Sequence, residues 1–362
     1  LLDRRFWLGI AASGLFLALL LWRIDFGGTA VALRNANYLL LAPAIGLYFV
    51  ALYFRTLRWG IMMRPLKAIG FNRLFPVMAV GYMANNLLPV RLGELVRSYY
   101  LGQREGVSKS ATLATIAIER VLDGMVLLLF LGGLLVALPV SGKAHDLARD
   151  TGIPLSVMVT VITLPFVAAL SVLVLAAYRP AALLGMLRLA LRPLPKTIGA
   201  KVYGLGELFF SGLAVLRDPR RFLALIVLTV PVWLGEAAMY YVVAVSFGIE
   251  QYVGGFWAMT GAVLALTATS NLATALPSSQ GGIGPFELFA AATLVVLGVP
   301  RELATAYAVV LHVALLVPVT VLGLAYLWSG KLSLVQMVRM GSRVGSNPSA
   351  SDGAKAAREE TP

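Results

Sequence analysis

Hydrophobic residues fall along this chain in long, nearly unbroken blocks, and charges gather between them. A helix crossing a ~30 Å hydrocarbon core at 1.5 Å per residue needs about 20 mostly apolar residues. Six blocks meet this and predict full spans over residues 6–22, 38–54, 111–138, 153–178, 222–247 and 303–328. The first looks like a secretory signal, but it lacks an Ala-x-Ala-like cleavage site and is read as a retained span. Two further blocks are broken. Residues 74–90 are uncharged but end in Asn85, Asn86 and Pro89, and a charged, helix-like segment over 91–101 follows. Residues 251–286 carry no charge, with Pro277, Ser278, Ser279, Gln280, Gly281, Gly282, Gly284 and Pro285 crowded near their end. Proline and glycine at that density interrupt helices. Interrupted backbone at membrane depth is tolerated only beside protein or a water-filled cavity.

Charge decides how the broken blocks are threaded. If each is a hairpin returning to the face it left, 24 basic residues share one face and 5 the other, with Arg120 left inside a span. A single crossing by residues 74–90 would move the basic residues of 91–109 and 179–221 to the other face and spoil that bias, so the positive-inside rule favours hairpins and two cytoplasmic termini. The expected fold is an all-α polytopic membrane protein. It has six full spans and two oppositely oriented re-entrant helical hairpins, in an inverted-topology repeat of the kind used by secondary transporters. Two ordinary spans kinked by Pro and Gly are the simpler alternative. The expected division is a first repeat over 1–150 with its hairpin near 74–101, and a second over 151–330 with its hairpin near 254–300. Residues 179–221 read as an amphipathic region at the inner surface, with helical pieces over 180–192 and 201–216. The tail 331–362 is expected on the cytoplasmic side, disordered toward its end.

Composition agrees with a membrane protein. Hydrophobic residues make up 59% of the 362 and charged residues 13%, against roughly 25% charged in soluble domains. There is no cysteine and there are only two histidines, which excludes disulfides and thiolate chemistry and disfavours an imidazole metal site. No cofactor is expected. The net charge of +13 lacks the basic and aromatic interleaving of a nucleic-acid binder, so no nucleic-acid partner is expected either.

Ionisable groups inside spans cost at least ~2.5–3.5 kcal/mol at mid-membrane and are functional candidates by default. Glu119, Arg120 and Asp123 form the strongest group, within helical reach of one another. They can face a cavity or staple helices together. Asn85, Asn86, Arg91, Glu94 and Arg97 surround the first break, and the arginine fork suits phosphate oxygens. These arginines can equally be boundary charges. Ser279, Gln280, Gly281, Gly282 and Glu287 mark the second break, where Glu287 could simply cap the following helix. Neither Walker spacing nor a preceding strand accompanies these glycines, so a nucleotide loop is rejected. Secondary candidates are Arg55 and Arg58, read mainly as anchors snorkelling to lipid phosphates, and Glu236, which needs a partner or a proton. His312 reads mainly as a hydrogen-bonded core residue.

The string from Ala84 to Arg97 (Ala-Asn-Asn-Leu-Leu-Pro-Val-Arg-Leu-Gly-Glu-Leu-Val-Arg), Gly106-Val107-Ser108 and Glu119-Arg120-Val121-Leu122-Asp123 resemble the lysylphosphatidylglycerol synthase transmembrane family. Arg55-Thr56-Leu57-Arg58-Trp59 and Gly281-Gly282-Ile283-Gly284-Pro285-Phe286-Glu287 extend the match, while Gln280 stands where the family often has proline. In bifunctional members this region is a flippase for aminoacylated phosphatidylglycerol, and a separate soluble domain transfers the aminoacyl group from tRNA. Only about 30 residues follow the last expected span, so the resemblance implies a stand-alone member without that domain.

The expected function is therefore a lipid flippase of the cell membrane rather than an enzyme. Its partner would be a lipid or lipid-linked substrate, with a phosphate met by Arg91, Arg97 and Arg120 in a cavity between the halves. A membrane-embedded transferase, or a partner of a separately encoded lipid-modifying enzyme, are the alternatives. The threading is directly testable because the chain has no native thiol. A cysteine replacing Val107 should be labelled from the cytoplasmic face, and labelling from outside alone defeats the first hairpin.

Overall fold

The computed structural model describes residues 4–22, 24–88, 92–137, 152, 154–193, 195–276 and 280–329. Regular structure among them is helical throughout. The first half contributes α1 (Arg4–Leu21), α2 (Phe26–Asn35), α3 (Leu41–Met63), α4 (Phe71–Leu87), α5 (Gly93–Glu105) and α6 (Lys109–Ala137). The second contributes α7 (Leu155–Tyr178), α8 (Pro180–Ala190), α9 (Lys196–Gly212), α10 (Pro219–Ser246), α11 (Phe256–Ala273), α12 (Pro285–Val296) and α13 (Arg301–Ser329). Short 3-10 pieces, Tyr38–Leu40 and Leu213–Arg217, lead into α3 and α10. Local chemistry sets the starts. Asp25 caps α2 through the Gly27 and Gly28 N–H groups, and Asp218 caps α10 ahead of Pro219 in the first turn.

Six helical runs among the described residues are long and apolar enough to cross a membrane: Tyr38–Met63, Val159–Tyr178, Thr197–Arg217, Pro219–Ser246, Phe256–Ala273 and Arg301–Ser329. Four coincide with expected spans; two do not. Thr197–Arg217 lies where a surface amphipathic piece was expected, because only Lys201 and Glu207 interrupt the run before its terminal Arg217. Phe256–Ala273 is the first arm of the expected second hairpin, and its 18 residues are long enough to cross alone. The expected first span instead turns by 88° between α1 and α2, and meets the span criterion only as a bent pair. α6 occupies the expected third span. α8, within the expected amphipathic region, buries no residue. The tail 331–362 lies outside the described residues.

α4 and α5 fold back on each other. Gly81 faces Arg97, and Asn85 faces Gly93, so the two helices run antiparallel. Their open ends are tied together, with Lys67 and Arg73 paired to Glu105 at 3.1 and 3.6 Å. The chain thus returns to the end from which it left. α11 and α12 are bonded side by side through Thr269 and Thr293 at 2.8 Å. Between them the backbone turns through left-handed glycines, Gly281 (φ 67°), Gly282 (80°) and Gly284 (100°), a region that only glycine enters at no steric cost.

The packing comes in exchanged pairs. α3 lies along α10; α4 packs on α13 and α6 on α11; α2 packs on α13 and α9 on α6. One large apolar cluster joins the helices, with Trp59, Tyr100, Tyr240, Tyr307 and Phe286 among its most buried members. The two breaks meet. Gly281 lies against the Asn86 carbonyl, and Asn86 bonds across to Leu316 O and Thr320 Oγ1 at 3.2 and 3.0 Å.

The close crossing of α4 and α5 generates a stability prediction. A Cβ on Gly93 would collide with the Gly81 carbonyl and with Asn85 N and Oδ1. Gly93→Ala should cost ~1–3 kcal/mol or more, as overpacking does, and lower the melting temperature. Gly46→Ala, whose Cβ meets nothing within 4 Å, should not. Unchanged melting of the Gly93 variant would show that the hairpin is looser than described.

Candidate functional site

Four arginines and four carboxylates converge where α3, α5, α6 and α10 meet. Glu119 and Asp123 lie ten and fourteen residues into α6, roughly 15 and 21 Å from its start at helical rise. Glu119 is fully buried beneath three guanidinium groups. Arg97 grips it with two hydrogen bonds of 3.2 and 2.8 Å, Arg120 approaches to 2.5 Å, and Arg58 stands at 3.9 Å. Arg58, itself fully buried, donates to Asp123 Oδ1 at 2.6 Å and Thr229 Oγ1 at 2.9 Å. Trp233 Nε1 donates to the same carboxylate oxygen at 3.1 Å. Arg97 also lies flat over the Trp59 ring, 3.7 Å from its centroid, while Trp59 Nε1 donates to Thr115. That cation–π contact is strongest where water is excluded.

A second pair lies beside the first. Arg55 is bonded to Glu236, donates to Tyr82 Oη at 2.6 Å and sits over the Trp233 ring at 4.9 Å. Glu236 continues through Tyr240 to Asn271 of α11 at 3.4 and 2.9 Å. Among these eight charges, only Arg120 and Glu94 are substantially open, with side chains 35% and 32% exposed and 3.9 Å apart. The cluster is neutral in sum, with one edge reachable from outside. Arg58 Nε and Nη2, Arg97 Nε, Arg120 Nε and the acceptor Asp123 Oδ2 are buried without hydrogen-bond partners, so neither the donors nor the acceptors of the cluster are fully satisfied.

The second hairpin carries a separate polar group. Glu287 accepts the Gly284 N–H at 2.7 Å, capping α12 as its position predicts, and its other oxygen lies 2.6 Å from His312 Nδ1. His312 Nε2 lies 3.1 Å from the Gly281 carbonyl, and Phe286 stacks on the ring at 4.2 Å. Among the described residues no three His, Asp or Glu side chains group as metal ligands.

Of the predicted residues, Glu94, Arg97, Glu119, Arg120 and Asp123 come together. Arg55 and Arg58 join them, which corrects their reading as lipid anchors. Their helix continues to Met63, beyond the apolar block, and turns both guanidinium groups onto acids of other helices. Arg120 is likewise not the sole interior cation; Arg55, Arg58 and Arg97 are more buried. Glu236 has its partner, and His312 is hydrogen-bonded as expected, with Glu287. Asn85 and Asn86 sit beside the crossing of the breaks, away from the ion pairs. Gln280, Gly281 and Gly282 stand in the turn above His312, while Arg91 and Ser279 lie outside the described residues. A cavity of about 520 Å³ opens between α3, α4 and α10, lined by Thr56, Gly60, Arg64, Phe71 and Leu228 among others. It is mostly apolar and includes none of the eight charges.

Breaking a buried pair leaves an uncompensated charge and costs ~3–5 kcal/mol. Asp123→Asn, which strips fully buried Arg58 of its carboxylate, should therefore lower thermal stability strongly. Arg120→Gln, at the open edge, should lower it far less, and the double change Arg55→Leu with Glu236→Leu should be milder than either single one. Equal losses for Asp123→Asn and Arg120→Gln would contradict this ordering.

The chain matches the family described as the lysylphosphatidylglycerol synthase TM region over residues 6–323. One UPF0104 membrane protein of Methanothermobacter thermautotrophicus is 37% identical over 110 residues, which is 30% of this chain and 32% of that protein. The glycosyltransferase AglD of Haloferax volcanii is 27% identical over 341 residues, 87% of this chain and 52% of that protein. A second UPF0104 membrane protein of M. thermautotrophicus is 27% identical over 333 residues, 88% of this chain and 92% of the relative. The match thus spans about a third of the first of these relatives and about half of the Haloferax protein. No solved structure matches the chain. The matched residues run from α1 into α13 and include every charged side chain of the buried cluster, so the chain belongs to the family of the lysylphosphatidylglycerol synthase TM region and is a multi-pass membrane protein.

Proposed function

We propose that this protein moves a phospholipid or lipid-linked polar headgroup between leaflets of the cell membrane. The observation that carries the reading is the neutral cluster of eight buried or half-buried charges with its one open edge at Arg120 and Glu94. A staple between helices needs one or two pairs; isolated ions at this depth are costly, and buried pairs add little net stability. A headgroup arriving at the edge meets the guanidinium fork of Arg120 with Glu94 beside it and Arg97 behind. Its phosphate accepts from Arg120, and Glu94 balances a cationic group or leaves. The tails stay in lipid. The exchanged pairing of α3 with α10, α4 with α13 and α6 with α11 supports two related halves, and the charge bias of the sequence supports re-entrant hairpins from opposite faces with both termini cytoplasmic. Ion or lipid gradients would drive movement.

The family supports a lipid cargo, since its described member acts on phosphatidylglycerol by name. A membrane-embedded transferase is the competing reading, favoured by the name of the Haloferax relative. Purified protein in liposomes with a lipid panel separates them. Leaflet exchange without covalent change supports the flippase, altered lipid mass supports the transferase, and neither supports a partner of a separate lipid-modifying enzyme.

Arg120 provides the sharper test. Arg120→Lys keeps the charge that faces Glu119 and should melt near wild type, yet lose about tenfold in exchange, the equivalent of ~1.4 kcal/mol of binding, because lysine has no planar fork. Arg120→Gln should lose exchange at least as strongly, with only a modest drop in melting temperature. Near-normal exchange by a well-folded Lys variant would reduce Arg120 to a simple electrostatic role.

A further inference from the structure

The contacts of His312 cannot all be satisfied without one extra proton. Its Nδ1 faces a carboxylate oxygen of Glu287 at 2.6 Å, and its Nε2 faces the Gly281 carbonyl at 3.1 Å. Both partners are acceptors when Glu287 is ionised. A neutral imidazole has a single N–H. With the proton on Nδ1, Nε2 presents a lone pair to the carbonyl; with it on Nε2, Nδ1 presents one to the carboxylate. One more proton, on the ring or on Glu287 Oε1, satisfies both contacts at once. Ring rotation offers no escape, because Phe286 stacks on the imidazole and both groups are buried.

We propose that His312 and Glu287 together form a proton-binding site that holds the turn of the second hairpin to α13. With the proton bound, Nε2–H donates to Gly281 O and Nδ1 and Oε1 share the other hydrogen. When the proton leaves, the remaining N–H stays with the carboxylate, and the Gly281 contact opens. That contact lies in a turn of positive-φ glycines, where Gly281 also abuts Asn86 at the end of the first hairpin. Proton release therefore loosens the meeting point of the two breaks.

Among the described residues, His312 and Glu287 form an ion pair only with each other; α2 and α3, which also meet α13, carry Arg34 and the paired Arg55 and Arg58. From α10, Tyr240 packs on Phe286 and is bonded to Glu236, which is held by Arg55. On α13, Tyr307 donates to the Tyr240 carbonyl, and Arg301 and Glu302 lie in the first turn. α1 meets the turn through Ser13 and has charges only at Arg4 and Arg5; α4 meets it through Asn86 and has only Arg73; α11 has none. The site is independent of which cargo moves.

The chain contains only two histidines, so His145→Gln leaves a single imidazole for nitrogen-15 NMR on the full-length protein in lipid. Over a pH series, the spectrum of His312 should change once, from two protonated nitrogens, or one shared proton, to one bare nitrogen. In the same pH series a cysteine replacing Gln280 reports the turn. Its labelling rate should rise about fivefold on proton release, the shift for losing one neutral hydrogen bond, after division by the rate in a Glu287→Gln background. Glutamine can donate to Nδ1 permanently, so that background should stay at the slow, proton-bound rate and cancel the ionisation of the thiol. If Glu287→Gln fails to fold, His312→Gln serves as the reference and should likewise lack the transition. An imidazole that keeps one state throughout, or a labelling transition that persists in the reference background, overturns the proposal. Neither readout involves lipid exchange, so its failure and that of the flippase reading are separate.

Discussion

The register between α3 and α10 is the constraint on which the rest of the molecule depends. Two arginines of α3 lie within a membrane-spanning helix, where their permanently charged guanidinium groups need acids beside them. Arg55 finds Glu236 and Arg58 finds Asp123, so the two central helices and α6 are fixed relative to one another. Desolvating each ion costs several kcal/mol after relaxation, which makes an unpaired alternative register expensive. Packing agrees with the ion pairs. Gly235 of α10 lies against Ala51 of α3, where an added Cβ would come within 3.3 Å of the Ala51 Cβ, and the Asn37 N–H reaches Ser246 O at the far end. The seam is specified chemically in its middle and sterically along its length.

The two hairpins then close on this seam by different means. The first brings charge. Gly81 and Gly93 let α4 and α5 approach until Arg97 passes over Gly81 and reaches Glu119, with Trp59 beneath its guanidinium plane. The second brings a turn of left-handed glycines, anchored by Glu287 and His312 rather than by arginine. Asn86 and Gly281 touch where the hairpins end, so displacement of one break is felt by the other.

The membrane class, both breaks and the acid group on α6 were legible because each is a local property of composition. The blocks are long, the prolines and glycines are dense, and three ionisable residues lie within one helical turn or so. The pairing was not, because Arg58 and Asp123 are 65 residues apart and Arg55 and Glu236 are 181 apart. Arg55 and Arg58 follow the end of an apolar block, which is also where snorkelling anchors stand. A count of interior charge offers the missing signal. Glu119, Asp123 and Glu236 outnumber Arg120, so the interior lacks two cations, and two arginines within four residues on a neighbouring span are the natural suppliers. The same arithmetic applies to His312 and Glu287, each solitary in its own segment. The full length of the apolar run through α9 and the 3-10 turn after it was not legible, because Lys201 and Glu207 within it suggest a surface piece.

A buried neutral cluster also explains how such a site could take a charged cargo without a large penalty. Admitting a phosphate alone to an apolar cavity requires desolvating an anion with nothing to compensate it. Here Arg120 already has a carboxylate partner at the open edge, and Glu94 is only loosely held at 3.9 Å. A phosphate that displaces Glu94 swaps one anion for another around the same guanidinium, and the inner pairs of Arg58, Arg97 and Arg55 are undisturbed. Glu94, near the start of α5, can turn toward water or toward a cationic headgroup when it leaves. On this reading the deep ion pairs keep the site's shape fixed while only the outermost pair exchanges partners. That division accounts for why the most exposed arginine, rather than the most buried, is where function and stability should come apart.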